Sequence, residues 1–484
     1  MVSMALFIER VQKRRQYCTV EPALFLFMFA SFLSYPIYQE LLHHTFCKQD
    51  PNCPLPYNNT TSSCNVETYP STVRDRTSHW ILYTNLSMGL TSLLLSLLYG
   101  SLSDALKERR VFLALPSVGG AINSLIVIIV QCVSPDYMWA YLIGAGLCGL
   151  AGGFSVFNLS AYSYVSDISP HNDRTWKIGW LEATMYISSF LSQLLGGIWI
   201  QFQGYTVPYF GILACHVTVV FYVILFLPPA QREKQPSKAV QETVTETKPL
   251  LNNAHDPPSD SSLQKRKSWL ILNVFSRIYH FFQLLRSSWR HVCLTLIFFI
   301  LEINFLGITD TVILYSLSRL CWDSKTIGYF LAEKSGFNAI AALLILPVLV
   351  KMRVSDPMIA MIGLLFGSAA LIVMGFATHS WIMFIVPVIG AMRGCVVPVV
   401  RSMLSKITPS DQQGVMFSGL SVIEASCIIV SSSLYNSLFP LTYSIYPGLC
   451  FFMIGVCSIL VIPLMLFLYF DARIRMKDKT SNKS

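Results

Sequence analysis

The sequence predicts an all-α polytopic membrane protein with twelve transmembrane helices in two six-helix halves. Three observations predict it. Of the 484 residues, 53% are hydrophobic and only 13% are charged, about half the roughly 25% charged residues of a soluble domain. Many apolar runs pass about 18 residues without a charge. Basic residues collect in alternate connecting segments. These features exclude a soluble enzyme, a nucleic-acid binder and a disordered chain. An outer-membrane barrel is excluded too, because its strands would alternate polar and apolar residues. The net charge of +9 therefore reads as orientation in a lipid bilayer, and no nucleic-acid partner is expected.

In chain order the expected spans are 20–42, 79–103, 111–132, 137–167, 175–203, 205–228, 290–318, 326–350, 356–378, 380–405, 412–438 and 444–470. Turn residues punctuate them at Ser134-Pro135-Asp136, Gly204-Tyr205, Thr378-His379-Ser380 and from Pro440 to Pro447. Residues 1–19 form an N-terminal tail. Its Lys13-Arg14-Arg15 precedes an apolar run too long for a signal peptide, so the first span reads as an anchor. The first half is 20–228, with an outside loop at 43–78. Residues 229–289, rich in Lys, Gln, Glu, Ser and Pro, form a cytosolic, partly disordered linker with an amphipathic helix expected near Trp269–Arg286. The second half is 290–470, and 471–484 is the C-terminal tail.

With the N-terminus in the cytosol, 27 of the 35 basic residues fall on the cytosolic side. Five (Lys48, Arg74, Arg76, Arg319 and Lys325) fall outside, and Lys334, Arg393 and Arg401 lie within spans. That asymmetry predicts both termini in the cytosol. The outside loops carry Cys47, Cys53, Cys64 and Cys321, which an oxidising compartment would pair. Four cysteines allow three pairings. Asn58 and Asn59 each head a glycosylation sequon in the first of these loops.

Ionisable residues within spans are functional candidates by default. Glu182 is the first. A carboxylate in a dry cavity can bind and release a proton as the cavity alternates, whereas one paired with a basic neighbour or wetted from the cytosol would be structural. Arg401 and Arg393 lie eight apart, about 80° round a helix, and both can face one cavity. A guanidinium there pairs bidentately with a substrate carboxylate. The alternative for Arg401 is snorkelling to the interface. Glu424 is a candidate partner for either arginine. Glu302 and Asp310 lie eight apart on the seventh span. The adjacent Glu333-Lys334 reads as a pair that neutralises itself or meets a neighbouring helix, and His216 reads as a buried core histidine. Between the second and third spans, Gly100-Ser101-Leu102-Ser103-Asp104 leads to Arg109-Arg110, an acid before and bases after a tight turn, suited to latching helix ends. There is no Walker loop, HExxH, Cys/His metal spacing or G-x-S-x-G element. No enzyme, cofactor or metal site is expected, and energy must come from an ion gradient or the substrate's own.

The six-plus-six array around a basic loop, and the Gly-x-x-x-Asp turn, resemble the major facilitator superfamily. More specific strings resemble the proton-coupled folate transporter family, solute carrier family 46. They are Thr77-Ser78-His79-Trp80, Leu320-Cys321-Trp322-Asp323-Ser324-Lys325, Leu181-Glu182-Ala183, Arg401 to Lys406 with Gln413-Gly414, and Tyr435-Asn436-Ser437-Leu438. The resemblance implies the major facilitator fold and proton symport of folates or other organic anions, with protons as the coupling ion. It implies a proton-coupling role for Glu182, a substrate contact for Arg401, gating by Asp104, Arg109 and Arg110, and a Cys64–Cys321 disulfide between the halves. Two positions depart from the folate branch: Gly153 stands where an aspartate would meet the pterin, and Phe305 where a histidine would stand. A related anion is therefore as good an expectation as folate.

Glu246-Thr247-Lys248-Pro249-Leu250-Leu251 fits an acidic dileucine sorting signal. It points to adaptor proteins at the linker and to endosomes or lysosomes as the alternative to the plasma membrane. The competing functional readings are an endolysosomal exporter of a different anion or conjugate, a transporter-like scaffold without flux, and a channel.

Overall fold

A computed structural model describes residues 19–51, 53, 70–106, 109–134, 137–168, 174–228, 279–409 and 412–481. The described residues are almost wholly helical. The first half contains α1 (Glu21–Gln49), α2 (Ser71–Leu106), α3 (Arg109–Val133), α4 (Met138–Leu150), α5 (Gly153–Ile168), α6 (Arg174–Gln203) and α7 (Thr206–Leu225). The second contains α8 (Trp289–Arg319), α9 (Ser324–Ile340), α10 (Leu346–Lys351), α11 (Asp356–Gly375), α12 (Ser380–Ile389), α13 (Val396–Ile407), α14 (Gln413–Ile445), α15 (Leu449–Leu460) and α16 (Ile462–Ser481).

Broken helices account for there being more helices than expected spans. Gly152 and Gly153 have φ of +96° and +51°, a left-handed conformation that only glycine adopts cheaply, and they split the fourth span into α4 and α5. A π-turn at Ala341–Ile345 joins α9 to α10. Pro347 follows it and lacks the N–H that a regular helix would need. A 3-10 turn at Ala391–Cys395 joins α12 to α13 with a 41° bend. Counted as continuous units, ten spans among the described residues are long and apolar enough to cross a membrane, and the bent pair makes eleven. The twelfth unit is α2, 36 residues long and more polar than the others.

Two helix starts are set by side chains. Asp323 caps α9 by accepting from the Thr326 N–H at 3.1 Å, and Ser288 caps α8 by accepting from Arg290 N–H at 3.3 Å. Residues 279–287 are helical and lay Phe281 against Gly419. The rest of the expected amphipathic helix, 269–278, lies outside the described residues, as do Asn58, Asn59, Cys64 and the string Glu246 to Leu251. The loop expected at 43–78 is shorter, because α1 continues to Gln49 and α2 begins at Ser71. Buried His43 and Thr45 pack inside the protein, where polar residues need not end a helix.

Large apolar side chains such as Leu94, Ile143, Phe221, Leu344 and Leu460 stand exposed on the outer faces of the bundle, as a lipid-facing surface requires. One end of the bundle carries Cys47, Cys53 and Cys321. Cys47 and Cys53 are bonded to each other, and Cys321 is also disulfide-bonded. Here the Trp322 indole N–H donates to Ser380 Oγ at 2.8 Å, and Arg74 lies 4.1 Å from the Tyr443 ring centre. The opposite, basic end is tied by Lys406–Asp356 at 2.6 Å and by the Arg290–Asp471 pair.

At the cysteine end the halves meet backbone to backbone. A Cβ added to Gly197 on α6 would sit 2.5 Å from the Ser324 carbonyl oxygen and 2.9 Å from Gly328 Cα on α9. Gly197→Leu is therefore expected to hold this end open. Overpacking of about 1–3 kcal/mol shifts such an equilibrium roughly 5- to 150-fold. Thiol-reagent labelling of Asn85→Cys from the cysteine end should rise by a comparable factor, and unchanged labelling would refute the assignment of this contact as a closure.

Candidate functional site

Five helices, α5, α6, α8, α13 and α14, build the main polar cluster. Six residues before the end of α13, Arg401 is 9% exposed. Its Nη1 donates to Glu182 Oε1 at 2.7 Å and to the Tyr162 hydroxyl at 3.0 Å. Its Nη2 pairs with Glu424 Oε1 and lies 3.9 Å from Glu302 Oε1. The Tyr162 hydroxyl donates in turn to Glu182 Oε1 at 2.7 Å. The guanidinium sits between the rings of Tyr162 and Phe298, 5.3 Å from each centre, a placement that adds cation–π attraction. Tyr162 and Glu182 belong to the first half, and Arg401, Glu424, Glu302 and Phe298 to the second. One forked cation thus bridges the halves, using the two sides of its guanidinium on two helices at once.

The cluster has spare capacity. Arg401 Nε and Glu424 Oε2 are buried without a hydrogen-bond partner among the described residues. Three carboxylates face one guanidinium, and a buried charge is tolerated only when it is paired or neutralised.

A second polar cluster lies toward the cysteine end. Asp310 on α8 is 2% exposed. It accepts from the Tyr35 hydroxyl, from Asn436 Nδ2 at 2.7 Å, from Ser432 Oγ at 3.0 Å and from Asn85 Nδ2 at 3.4 Å. Ser78 Oγ donates to the Asn436 carbonyl at 2.8 Å. Tyr35, Ser78 and Asn85 come from the first half, so this carboxylate also ties the halves together. Asp310→Ala would leave buried donors unpaired at about 1–3 kcal/mol each. Labelling of a Ser78→Cys thiol from the cysteine end should then increase, and Asp310→Asn, which keeps one acceptor oxygen, should raise it less.

Of the residues singled out from sequence, the structure joins Glu182, Arg401, Glu424 and Glu302 in one cluster. Arg393 is apart from them, on the 3-10 turn, where Gly367 leaves room for its side chain. Arg109 and Arg110 open α3 and are half-buried, Asp104 falls within α2, and the adjoining residues 107–108 lie outside the described set. Buried His216 packs on Gly120 and edge-on to Phe27, a core position. Phe305 lines the cavity that also holds Arg393, whereas Gly153 serves the break between α4 and α5. Tyr162, Tyr35 and Asn85 were not anticipated, since a lone tyrosine or asparagine in an apolar span has no distinguishing sequence signal.

The model of the major facilitator superfamily matches residues 22–432. The chain belongs to that superfamily. Within it the chain is a member of solute carrier family 46. It is 30% identical to the proton-coupled folate transporter of Bos taurus, over 92% of this chain and 90% of that one. It is 25% identical to the lysosomal proton-coupled steroid conjugate and bile acid symporter SLC46A3 of Gallus gallus, over 93% of each. The fold matches the crystal structure of the human organic anion transporter MFSD10 (TETRAN) at a TM-score of 0.61 with 16% identity, covering 93% of this chain and 99% of that one. This major facilitator is accordingly a multi-pass membrane transporter for a small organic substrate, and not an enzyme. Arg401 and Glu182 sit where such a fold alternates between its two open states, at the seam between halves.

Proposed function

We propose that this transporter is a proton-coupled symporter of organic anions, folate-like or of the steroid-conjugate and bile-acid kind. The observation that carries the reading is the Arg401–Glu182 bridge across the halves, set among the further carboxylates of Glu424 and Glu302. While Glu182 is ionised, it holds Arg401 and the basic end stays closed. A proton on Glu182 removes its charge, frees one side of the guanidinium, and lets that end part. The anion and the proton then cross together, which lowers the net charge the dry seam must carry.

In this reading the basic end faces the cytosol, as the positive-inside rule requires, with both termini there. The cysteine end faces the outside or a vesicle lumen, Cys321 pairs with Cys64, and Asn58 and Asn59 carry glycans. Asp104, Arg109 and Arg110 latch the cytosolic helix ends. Glu246, Leu250 and Leu251 recruit adaptor proteins that deliver a fraction of the protein to endosomes or lysosomes, where an acidic lumen drives export to the cytosol. The test is uptake of labelled folate and of taurocholate into proteoliposomes with an acidic exterior. Saturable accumulation of either that collapses with a protonophore supports the reading. Saturable flux of both without response to the proton gradient would refute coupling, and no flux of any organic anion would favour a scaffold.

A further inference from the structure

Two half-buried cations take no part in the Arg401 cluster. Lys334 on α9 and Arg393 on the 3-10 turn line one cavity of about 50 Å³, with Tyr186, Asn338, Ser458 and Phe305 also in its wall. Neither cation forms an ion pair or side-chain hydrogen bond among the described residues. Both side chains face this one cavity. The acid that acts on Arg393 is Glu302, which also lies 3.9 Å from Arg401. Glu333 does not neutralise Lys334, since its Oε2 is buried without a partner and adjacent helix positions point about 100° apart.

The position is central. Lys334 is ten residues from the start of α9, and Arg393 fourteen from the end of α13. At 1.5 Å per residue these are about 15 and 21 Å from the two helix ends, well inside spans that cross a core roughly 30 Å thick. The cavity lies on the seam, because Tyr186 comes from the first half and its hydroxyl donates to the Gly394 carbonyl at 3.4 Å. Glycine makes the room: a Cβ at Gly367 would come within 3.3 Å of Arg393 Cδ, and one at Gly394 within 2.7 Å of Asn338.

We propose that this cavity is the subsite for the anionic end of the transported substrate, and that this end carries two negative charges, one for each cation. The proposal rests on the organic-anion reading above and deepens it. Two like charges in a small seam cavity repel each other and are desolvated, an arrangement that an entering anion relieves and that a purely structural role does not. Arg393 offers a planar fork for a carboxylate, and Lys334 a point charge beside it. In this conformation the volume admits one or two waters at about 30 Å³ each, which a carboxylate would displace as the seam opens. Phe305 gives the organic part of the substrate an apolar wall. Arg401, eight residues along the chain and about 12 Å away, is left to the proton-coupling carboxylates.

The experiment has two arms. In the first, Asn338→Cys is introduced into full-length protein lacking the exposed thiols of Cys132 and Cys457. It is then treated with an anionic sulfonate and a cationic ammonium methanethiosulfonate reagent. The anionic reagent is expected to react about tenfold faster or more, and the ratio should fall to about one when Lys334→Gln and Arg393→Gln are combined. Equal rates in the parent, or no reaction with either reagent, overturns the anion subsite whatever the substrate proves to be. In the second arm, Lys334→Gln and Arg393→Gln are expected to raise KM for folate, which has two carboxylates, at least about tenfold. KM for taurocholate, with one sulfonate, should rise less, and Lys334→Arg should restore folate uptake. Equal effects on both probes overturn the two-charge assignment. A wild-type protein that moves neither probe refutes the symport reading alone, since the reagent ratio still decides the subsite.

Discussion

Glu182→Gln is expected to leave a transporter that exchanges substrate but no longer accumulates it. Glutamine is neutral at every pH, and its amide oxygen still accepts from the Tyr162 hydroxyl that now donates to Glu182 at 2.7 Å. Arg401 keeps Glu424 as a partner and Glu302 nearby, so no buried cation is orphaned and the fold should survive. What disappears is the one carboxylate of the first half that changes the bridge across the seam when it takes a proton. The sign follows: wild-type accumulation rises as the bath at the cysteine end is acidified, and the variant's stays flat. Each pH unit of gradient supplies about 1.4 kcal/mol per proton, a tenfold accumulation, so the variant's ratio of inside to outside substrate should fall to about one. Counterflow of labelled substrate should persist. Glu424→Gln is the control, because Glu424 and Arg401 lie in the same half and their pair does not span the seam. It should shift apparent affinity while sparing accumulation. Full pH-driven accumulation by Glu182→Gln would remove Glu182 from the coupling mechanism.

The twelve-span architecture was readable in the sequence because lipid demands long apolar runs, and basic residues mark the ends of those runs. Which side chains meet was not readable, because hydropathy records depth and not partner. Arg401 and Glu182 are 219 residues apart and Tyr162 is 239 from Arg401. Nothing in either local string distinguishes a guanidinium that grips a carboxylate across the seam from one that snorkels. Lys334 is ambiguous in the sequence for a different reason. Its neighbour Glu333 leaves the pair to neutralise itself or to meet a neighbouring helix, and only the fold separates the two, with the lysine facing the cavity of Arg393. The first loop begins later in the structure than polarity alone predicts, because buried His43 and Thr45 are packed in protein, where polarity no longer signals water.

Arg401 is the position whose loss should be felt most. Arg401→Met fills similar volume with no charge and leaves Glu182, Glu424 and Glu302 facing one another without a cation. Breaking a buried ion pair from one side costs about 3–5 kcal/mol, and the cation–π contacts with Tyr162 and Phe298 go too. Purified variant should melt well below wild type and show no accumulation. Arg401→Lys discriminates between a role as a charge and a role as a fork. An ammonium is a compact donor that reaches one carboxylate at a time, whereas the guanidinium serves Glu182 and Tyr162 through Nη1 and Glu424 through Nη2. If the bridge needs both sides at once, lysine should restore most of the thermal stability but little of the proton-driven uptake. Wild-type accumulation in Arg401→Lys would show that a point charge suffices, and the exchange of carboxylates around a fork would no longer explain coupling. Adding Glu182→Gln to Arg401→Met should then recover part of the lost stability, because it removes one of the three carboxylates left without a cation. A double variant no more stable than Arg401→Met alone would mean that the single substitution acts through lost packing and not through uncompensated charge.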